Sequence, residues 1–483
     1  MPPRRSLVPG LLAAMLLVLA ACASDAEPAP EVGEAAAPVG TTLSARSRRL
    51  QFESFDEVWT TVRDRHWDPS LGGLDWEGAR AELRPRIAGA TRQAEAREIM
   101  NELVSRLGQS HFAVFPGPTS EEELVPVGDP RAELETAAES AALRAAPRPR
   151  DLVAVAPQDR AERGFPGFEL TLVEGRLMIT RVATDSPAAR DGIEIGWELL
   201  AVGGQVVEGR RIAEEVGAHE AHAALHRHIL AQRVASAPIG EVVPMRFETR
   251  DGRERELEIR MTAPEGEEFA LGEQLRLPTR YEARRLEGGV GYFALSAFAN
   301  PVAVMQALGE FLSDIEGAPG LILDLRNNPG GLGAMASGIS GFFVEERGRD
   351  LGSMITRGGE LRFVIFPRAE TFPGRLAILV NGASASTSEI LPAGLQDLER
   401  GRVFGETTAG AVLPSEISTL PNGDGFQFAT ADFVTPRGVR LEGRGAIPDV
   451  VVHHTVADLR RGVDRPLEAA RTWILEPAPR KGP

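Results

Sequence analysis

The chain has 483 residues, too many for one compact domain, and this length indicates two to four domains. Its formal net charge of −16 gives no electrostatic basis for binding nucleic acid, and 43% apolar and 25% charged residues argue against wholesale disorder. Lys481 is the only lysine, so arginine carries almost all of the positive charge. Cys22 is the only cysteine, which excludes an intramolecular disulfide.

Residues 1–22 have the features of a secretory signal peptide, with two arginines, an apolar run over 11–19 and then Leu-Ala-Ala-Cys. The run is shorter than the roughly 20 residues of a membrane span. Its end resembles a bacterial lipobox, in which Cys22 would be acylated; an incidental cysteine after a plain signal peptide is the alternative. We therefore expect a lipid-anchored protein of the bacterial cell envelope. Because residues 23–24 lack an inner-membrane retention aspartate, we expect the outer membrane, with the protein facing the periplasm.

The next three segments differ in composition and in residue pattern. Residues 23–46 are rich in Ala, Pro and Glu and predict a flexible tether. Residues 47–117 predict a small helical domain, because apolar residues recur at helical spacing and a second helix is indicated over 94–107. Residues 118–163 are acidic and interrupted by prolines, which predicts a linker or insertion.

Residues 164–265 resemble a PDZ domain. The Gly-Phe-Pro-Gly-Phe segment resembles a loop that binds a terminal carboxylate, and the resemblance assigns this role to Gly164, Phe165, Gly167 and Phe168. A generic β-domain with glycine turns is the alternative.

A helix is predicted over 211–235 and contains four of the eight histidines. His222 and His226 have the i, i+4 spacing of zinc ligands, but no third ligand is evident. We expect these histidines to be solvated, and no metal or other cofactor.

Residues 280–458 alternate between strand and helix patterns, which predicts a parallel sheet with helices packed on it. Residues 459–483 are expected to form a C-terminal tail. The fold class predicted for the whole chain is therefore a multidomain α/β protein.

Two strand–turn–helix segments of this region contain candidate chemistry. In residues 381–389, a turn of small residues follows a buried strand, so a serine can lie exposed at a helix N-terminus. Ser386 and Glu389 also have capping-box spacing, and this segment alone favours neither interpretation. Residues 324–332 contain a glycine turn whose N–H groups can form half of an oxyanion hole. Asp324 and Arg326 are expected to be structural.

Together with the Arg-Gly-Ala-Ile-Pro-Asp-Val segment at 444–450, these motifs resemble the tail-specific (C-terminal-processing) protease and tricorn-type serine peptidase family. The resemblance covers about three quarters of the chain and implies a crotonase- or Clp-like βαβ core. It implies that Ser386, rather than Ser384 or Ser388, is the nucleophile. It further implies an oxyanion hole of Thr387 and either Gly331 or Gly330, and a supporting role for Asp397.

The base of the reaction differs from that of the better-known branch of this family, which pairs its serine with a lysine. Ala411 occupies the lysine position, and arginine cannot substitute because it stays protonated. The tricorn-like branch implies His111 as the base, Glu442 to fix the imidazole tautomer, and Ser110 in support. His66 is the rival base, whereas His453 and His454 lie too far along the chain to be favoured.

Three functions compete. The resemblance favours a serine endopeptidase that hydrolyses envelope or misfolded polypeptides through an acyl-enzyme, with the PDZ-like domain binding substrate termini. A catalytically silent protein of the same fold that binds peptides or apolar ligands is the alternative, and a lipid-anchored scaffold is the third. The sequence assigns neither a natural substrate nor an oligomeric state.

Overall fold

The computed structural model describes residues 41–117, 124–126, 163–216, 222–271 and 275–477. These divide into two compact units. The first comprises the described parts of Met1–Gly108, Phe112–Arg160 and Glu416–Phe428, and the second those of Gln109–His111, Ala161–Ser415 and Ala429–Pro483. The expected signal peptide with Cys22, His219, Lys481 and nearly all of the 118–163 linker lie outside the described residues. No described helix is long and apolar enough to cross a membrane.

The first unit contains the predicted helical domain. Its helices are α1 Ala45–Arg65, α2 Trp76–Leu83 and α3 Gln93–Ser105, and its strands are β1 Thr41–Leu43, β2 Ala113–Phe115 and β3 Leu124–Pro126. The stripe on α1 that predicted a helix is buried, and its Trp59 indole N–H donates to the Trp76 carbonyl at 3.0 Å. The expected tether therefore ends earlier than residue 46, because β1 pairs with β3 and α1 begins at Ala45.

The predicted α/β core of residues 280–458 needs a correction at one segment. Residues 416–428 belong to the first unit rather than to that core. The Asp424 carboxylate is fully buried and accepts hydrogen bonds from Arg97 at 2.7 Å and Gln93 at 2.9 Å, both on α3. A carboxylate buried in this way needs those donors, so the segment is held by charge pairing that no local pattern shows. It forms a sheet in the order β2–β22–β21, with β21 Ser415–Thr419 and β22 Gly425–Ala429.

The second unit begins with a sheet ordered β11–β10–β7–β6–β5, with β8 paired to β7, which we call the small sheet. Its strands are β5 Phe168–Val173, β6 Arg176–Val182, β7 Glu198–Val202, β8 Gln205–Val206, β10 Val242–Glu248 and β11 Glu254–Arg260, and the short pair β4 Arg163–Gly164 and β9 Ala237–Pro238 lies beside it. Its helices are α4 Pro187–Arg190, α5 Gly209–Val216 and α6 Ala223–Val234. The one long helix expected over 211–235 is thus described as two.

The rest of the second unit is built on a sheet ordered β14–β15–β16–β19–β20–β24, which we call the large sheet. All its pairs are parallel except β14 with β15, which confirms the predicted parallel type. Its strands are β14 Tyr281–Arg285, β15 Gly291–Leu295, β16 Gly320–Asp324, β19 Arg375–Val380, β20 Gly401–Gly405 and β24 Val450–Val451. The other strands are the hairpin β12 Glu267–Leu271 and β13 Leu275–Thr279, and a sheet of β17 Asp350–Thr356, β18 Gly359–Val364 and β23 Ala431–Val434.

Helices cover both faces of the large sheet. One face packs against α7 Pro301–Asp314, α8 Gly333–Ser340 and α9 Thr387–Asp397. The short α10 Val456–Arg460 is followed by α11 Arg465–Leu475, which buries Ala470 and Ile474 against the other face. The prediction of a C-terminal tail from residue 459 onward is therefore wrong for residues 459–475, because Ala470 and Ile474 are part of the core.

The parallel strands β16, β19 and β20 end at the same edge of the large sheet, and each is followed by a loop, over 325–332, 381–386 and 406–414. The carboxyl edge of such a sheet is where α/β proteins place their ligands. The two candidate motifs of the sequence are the first two of these loops.

Candidate active site

Ser386 occupies the sharp turn between β19 and α9. Its backbone has φ 56° and ψ −119°, a conformation that is strained for a residue with a side chain. The Ser386 N–H donates to the Ala411 carbonyl at 2.8 Å and to Glu389 Oε1 at 3.1 Å, so neighbouring groups hold the strained turn. Glu389 thus makes the backward contact of a capping box. The nucleophile and cap interpretations of this segment are therefore compatible.

The glycine turn of the 325–332 loop packs directly on this serine. A Cβ built on Gly330 would lie 2.7 Å from Ser386 Cβ and 2.9 Å from Thr387 N, so only glycine permits the approach. The Thr387 hydroxyl donates to the Gly331 carbonyl at 2.9 Å, and the Ala385 N–H donates to the Asn328 carbonyl at 3.1 Å. These hydrogen bonds join two loops that are far apart in sequence.

Of the two glycines expected in the oxyanion hole, Gly330 is excluded as a donor. Its N–H donates to Asn328 Oδ1 at 2.9 Å and is therefore occupied. Among the described residues, the N–H groups of Gly331 and Thr387 donate no hydrogen bond. These two N–H groups, beside the Ser386 turn, are the pair that can stabilise a developing negative charge.

The candidate base lies in a chain of hydrogen bonds. His111 Nδ1 is 2.8 Å from the Ser110 hydroxyl, and that hydroxyl donates to Glu442 Oε2 at 2.9 Å. Because the single hydroxyl proton points to the carboxylate, the Ser110 oxygen accepts from His111 Nδ1–H. The neutral imidazole therefore keeps its lone pair on Nε2, the atom that would take a proton from a serine.

Glu442 is linked to His111 through Ser110, the residue expected in support. The same carboxylate also accepts from the Ser110 N–H at 2.7 Å and from the Val412 N–H at 3.0 Å. Since Ala411 binds the Ser386 N–H, adjacent residues of one loop attach to both the serine and the carboxylate. The described residues contain no hydrogen bond between Ser386 and His111, and such contacts often tighten only when substrate binds.

Burial dominates the electrostatics of this site. Burial, with the nearby charge of His222 as a smaller cause, lowers the pKa of His111 to about 3, so its imidazole is neutral near pH 7. Burial raises the pKa of Glu389 to about 7, against the opposing effect of four donors. Those donors are the Thr408 hydroxyl and the N–H groups of Ser386, Gly410 and Ala411.

The remaining predicted residues have other places. Asp397 lies at the C-terminal end of α9, about 16 Å along the helix from Ser386, and accepts from the Arg437 N–H at 3.0 Å. Its expected supporting role in the site is therefore wrong. His66 belongs to the first unit, where the Asp68 N–H donates to its Nδ1 at 3.0 Å. No group of three metal-binding side chains occurs in the described ranges.

The predicted carboxylate loop lies where β5 of the small sheet begins. The Phe165 N–H donates to the Thr262 carbonyl at 2.8 Å, so it is occupied, and Gly164 pairs with Ala237. A Cβ on Gly167 would lie 2.1 Å from Ser186 Cβ, and the Phe168 ring packs in the core against Phe247. Of the four residues, Gly164, Phe165 and Phe168 thus have structural contacts where ligand contacts were expected.

Comparison with known proteins shows which families and proteins this chain is similar to. Residues 289–452 match the model of peptidase family S41, and residues 52–105 match the tricorn protease C1 domain. These matches support the tail-specific, or C-terminal-processing, protease family. A carboxy-terminal-processing protease of Bartonella bacilliformis is 26% identical over 63% of this chain and 65% of its own length. A probable CtpA-like serine protease of Staphylococcus aureus is 24% identical over 59% of this chain and 52% of its own.

The chain therefore spans between about half and two thirds of the curated relatives that it matches. Among solved structures, mature CPAF complexed with lactacystin is 12% identical, with a TM-score of 0.55, and the match covers 89% of this chain and 98% of that one. At that identity the likeness shows the fold alone. It fits the mixed α/β architecture described above.

Ala411 occupies the position where the family resemblance led us to expect a lysine in the better-known branch. Ala411 is fully buried, and its carbonyl and N–H bind Ser386 and Glu389. Sequence reasoning missed two residues here. Glu389 was considered only as a helix cap, and His222, which lies beside Glu442, was weighed as a zinc ligand and expected to be solvated. Capping-box spacing indicated the first, whereas nothing local indicated the second.

Proposed function

We propose that this protein is a serine endopeptidase that hydrolyses polypeptides through an acyl-enzyme, with Ser386 as nucleophile and His111 as general base. The observation that supports it best is the Glu442–Ser110–His111 chain of hydrogen bonds, fastened to the loop that also binds the Ser386 N–H. In this mechanism His111 Nε2 takes the proton of Ser386 as its oxygen attacks the peptide carbonyl. Gly331 and Thr387 then donate to the oxyanion.

Release of the products follows from the same groups. The imidazolium of His111 gives its proton to the leaving amine, and the resulting acyl-enzyme is hydrolysed by a water that His111 deprotonates. The carboxylate of Glu442, acting through Ser110, stabilises the imidazolium that forms in each half of the reaction. A catalytically silent binding protein is not favoured, because ligand binding alone needs neither a strained serine nor the Glu442–Ser110–His111 chain of hydrogen bonds, which we call the relay.

The small sheet is proposed to bind a terminus of the substrate in the manner of a PDZ domain. Strand β5 is an edge strand, and α6 lies along it. Gln232 of α6 donates to the Leu170 carbonyl at 2.6 Å and accepts from its N–H at 3.4 Å, as the backbone of an added strand would. A lipid anchor at Cys22, in the bacterial envelope with the enzyme facing the periplasm, is proposed on the sequence of residues 1–22.

The proposed function is tested by cleavage of an unstructured polypeptide by the full chain at pH 5 to 9. We expect Ser386→Ala and His111→Ala each to lower kcat by at least about 10³-fold, since both belong to one catalytic unit. The matched control is Lys481→Arg, which removes the only lysine and should leave kcat unchanged. Full activity without His111, or loss of activity without Lys481, would contradict the proposed base.

A further inference from the structure

A residue at the start of α6 reaches the catalytic cluster. His222 immediately precedes this helix, in the left-handed region with φ 62°, and its side chain is only 5% exposed. Its Nδ1 lies 3.1 Å from the Ala409 carbonyl, and its Nε2 lies 3.8 Å from Glu442 Oε1. A helix of the small sheet thus places an imidazole against the carboxylate that orients the base.

The contacts of His222 determine which of its ring nitrogens carries the hydrogen. A carbonyl only accepts, so Nδ1 of His222 carries a hydrogen and donates it to Ala409. The other nitrogen faces the carboxylate oxygen that already accepts from the Ser110 N–H. His222 Nε2 thus lies beside Glu442 Oε1, whereas the Ser110 hydroxyl of the relay donates to the other carboxylate oxygen, Oε2.

A second contact joins the same helix turn to the nucleophile. A Cβ built on Gly382, in the loop that leads to Ser386, would lie only 2.5 Å from Ala224 Cβ. The first turn of α6 therefore packs against the Ser386 loop and, through His222, against the 406–414 loop. Both contacts use a helix outside the large sheet that supports the other site residues.

We propose that His222 is a positioning residue of the active site: its Nδ1–H holds Ala409 of the 406–414 loop against α6, and its ring packs beside Glu442. The inference rests on the proposed peptidase function. Three titratable groups face His222, namely Glu442, His111 and His226 of its own helix. A second proton on His222 would place positive charge near the imidazolium that His111 must become, so it would oppose catalysis.

The test compares His222→Phe, His222→Asn and the surface control His453→Asn in the full chain. We expect His222→Phe to lower kcat about tenfold, with KM within about twofold, and to change the acidic limb of the pH profile of kcat. His222→Asn keeps a donor for Ala409 and should recover part of the loss, while the control should match the wild type. Wild-type kcat and pH profile in His222→Phe would overturn the inference and leave the peptidase proposal intact.

A second measurement works even if no substrate is cleaved. With ¹⁵N-labelled histidine, the ring signal of His222 is the one that is missing from the His222→Phe variant. We expect that ring to have its hydrogen on Nδ1 and its signals to shift in Glu442→Gln. A His222 with the hydrogen on Nε2 alone, or unmoved by Glu442→Gln, would overturn the inference independently of activity.

Discussion

Gly330 and Ser386 are in direct contact, across 55 residues of intervening chain: a side chain on Gly330 would begin 2.7 Å from Ser386 Cβ. The contact places the glycine turn over Ser386, and the N–H groups of Gly331 and Thr387 on either side of it donate no hydrogen bond among the described residues. Substrate binding need not assemble this part of the site, because the hydrogen bonds between the two loops already do so.

Gly330→Ala should therefore abolish most activity. Its φ of 97° is unfavourable for alanine, and the new methyl group would force the two loops apart, so we expect kcat to fall at least about 100-fold. Gly438→Ala is the matched control, because Gly438 has φ 78° but open space around it. Equal losses in both variants would show that backbone strain, rather than the contact with Ser386, explains the effect.

Ser110→Ala should show how much the relay contributes to kcat when the base, His111, is still present. His111 remains, but its link to Glu442 is lost, so we expect kcat to fall roughly 100-fold with little change in KM. Steady-state kinetics beside Glu442→Gln provide the comparison. Because both variants break the same chain, the double variant should be hardly worse than either single one. Multiplicative losses would argue against a relay.

Glu389→Gln should change how stability depends on pH. Burial raises the pKa of Glu389 to about 7, above the value of about 4.3 expected for an unfolded glutamate. The folded state then binds more protons between these values, so this group's contribution to stability is complete below pH 4.3 and is lost as the pH rises through 7. Thermal unfolding at pH 4.5 to 8 should show a smaller decline in Tm over this range for the variant. Parallel Tm curves would contradict the raised pKa.

Exchanging two small residues should test the packing of α6 on the nucleophile loop. Gly382→Ala alone would put two methyl groups 2.5 Å apart and should lower kcat. Adding Ala224→Gly removes the opposing methyl group, so the double variant should recover most of the activity, apart from a helix cost of about 1 kcal/mol. Cleavage rates of the two single variants and the double variant give the result. No recovery in the double variant would mean that the contact is not what limits the Gly382 variant.

Gln232→Ala should free the edge of β5. Its side-chain amide occupies the Leu170 carbonyl and N–H, the groups that an added peptide strand would use. We expect peptides with a free C-terminus to bind more tightly by several-fold, as measured by fluorescence anisotropy, and amidated peptides to serve as the control. Unchanged or weaker binding would count against β5 as the docking edge.

The sequence by itself predicted the parallel sheet, the strand–turn–helix segment that contains Ser386, and a base other than lysine. Each depends on local information: hydrophobic period, small residues between a strand and a helix, and an alanine where a lysine would be needed. The family resemblance added His111, Ser110 and Glu442, and the structure brings these three into one hydrogen-bonded chain.

Only the tertiary structure decided which polar groups already have a partner within the protein and which can still bind a ligand. Gly330 and Gly331 are indistinguishable in sequence, yet the Asn328 side chain takes the N–H of Gly330. His222 lies on an apparently solvated helix, yet the packing of α6 against the large-sheet loops buries it beside Glu442. The residues that accept these hydrogen bonds come from distant parts of the chain, and no local pattern records which donor and acceptor the fold brings together.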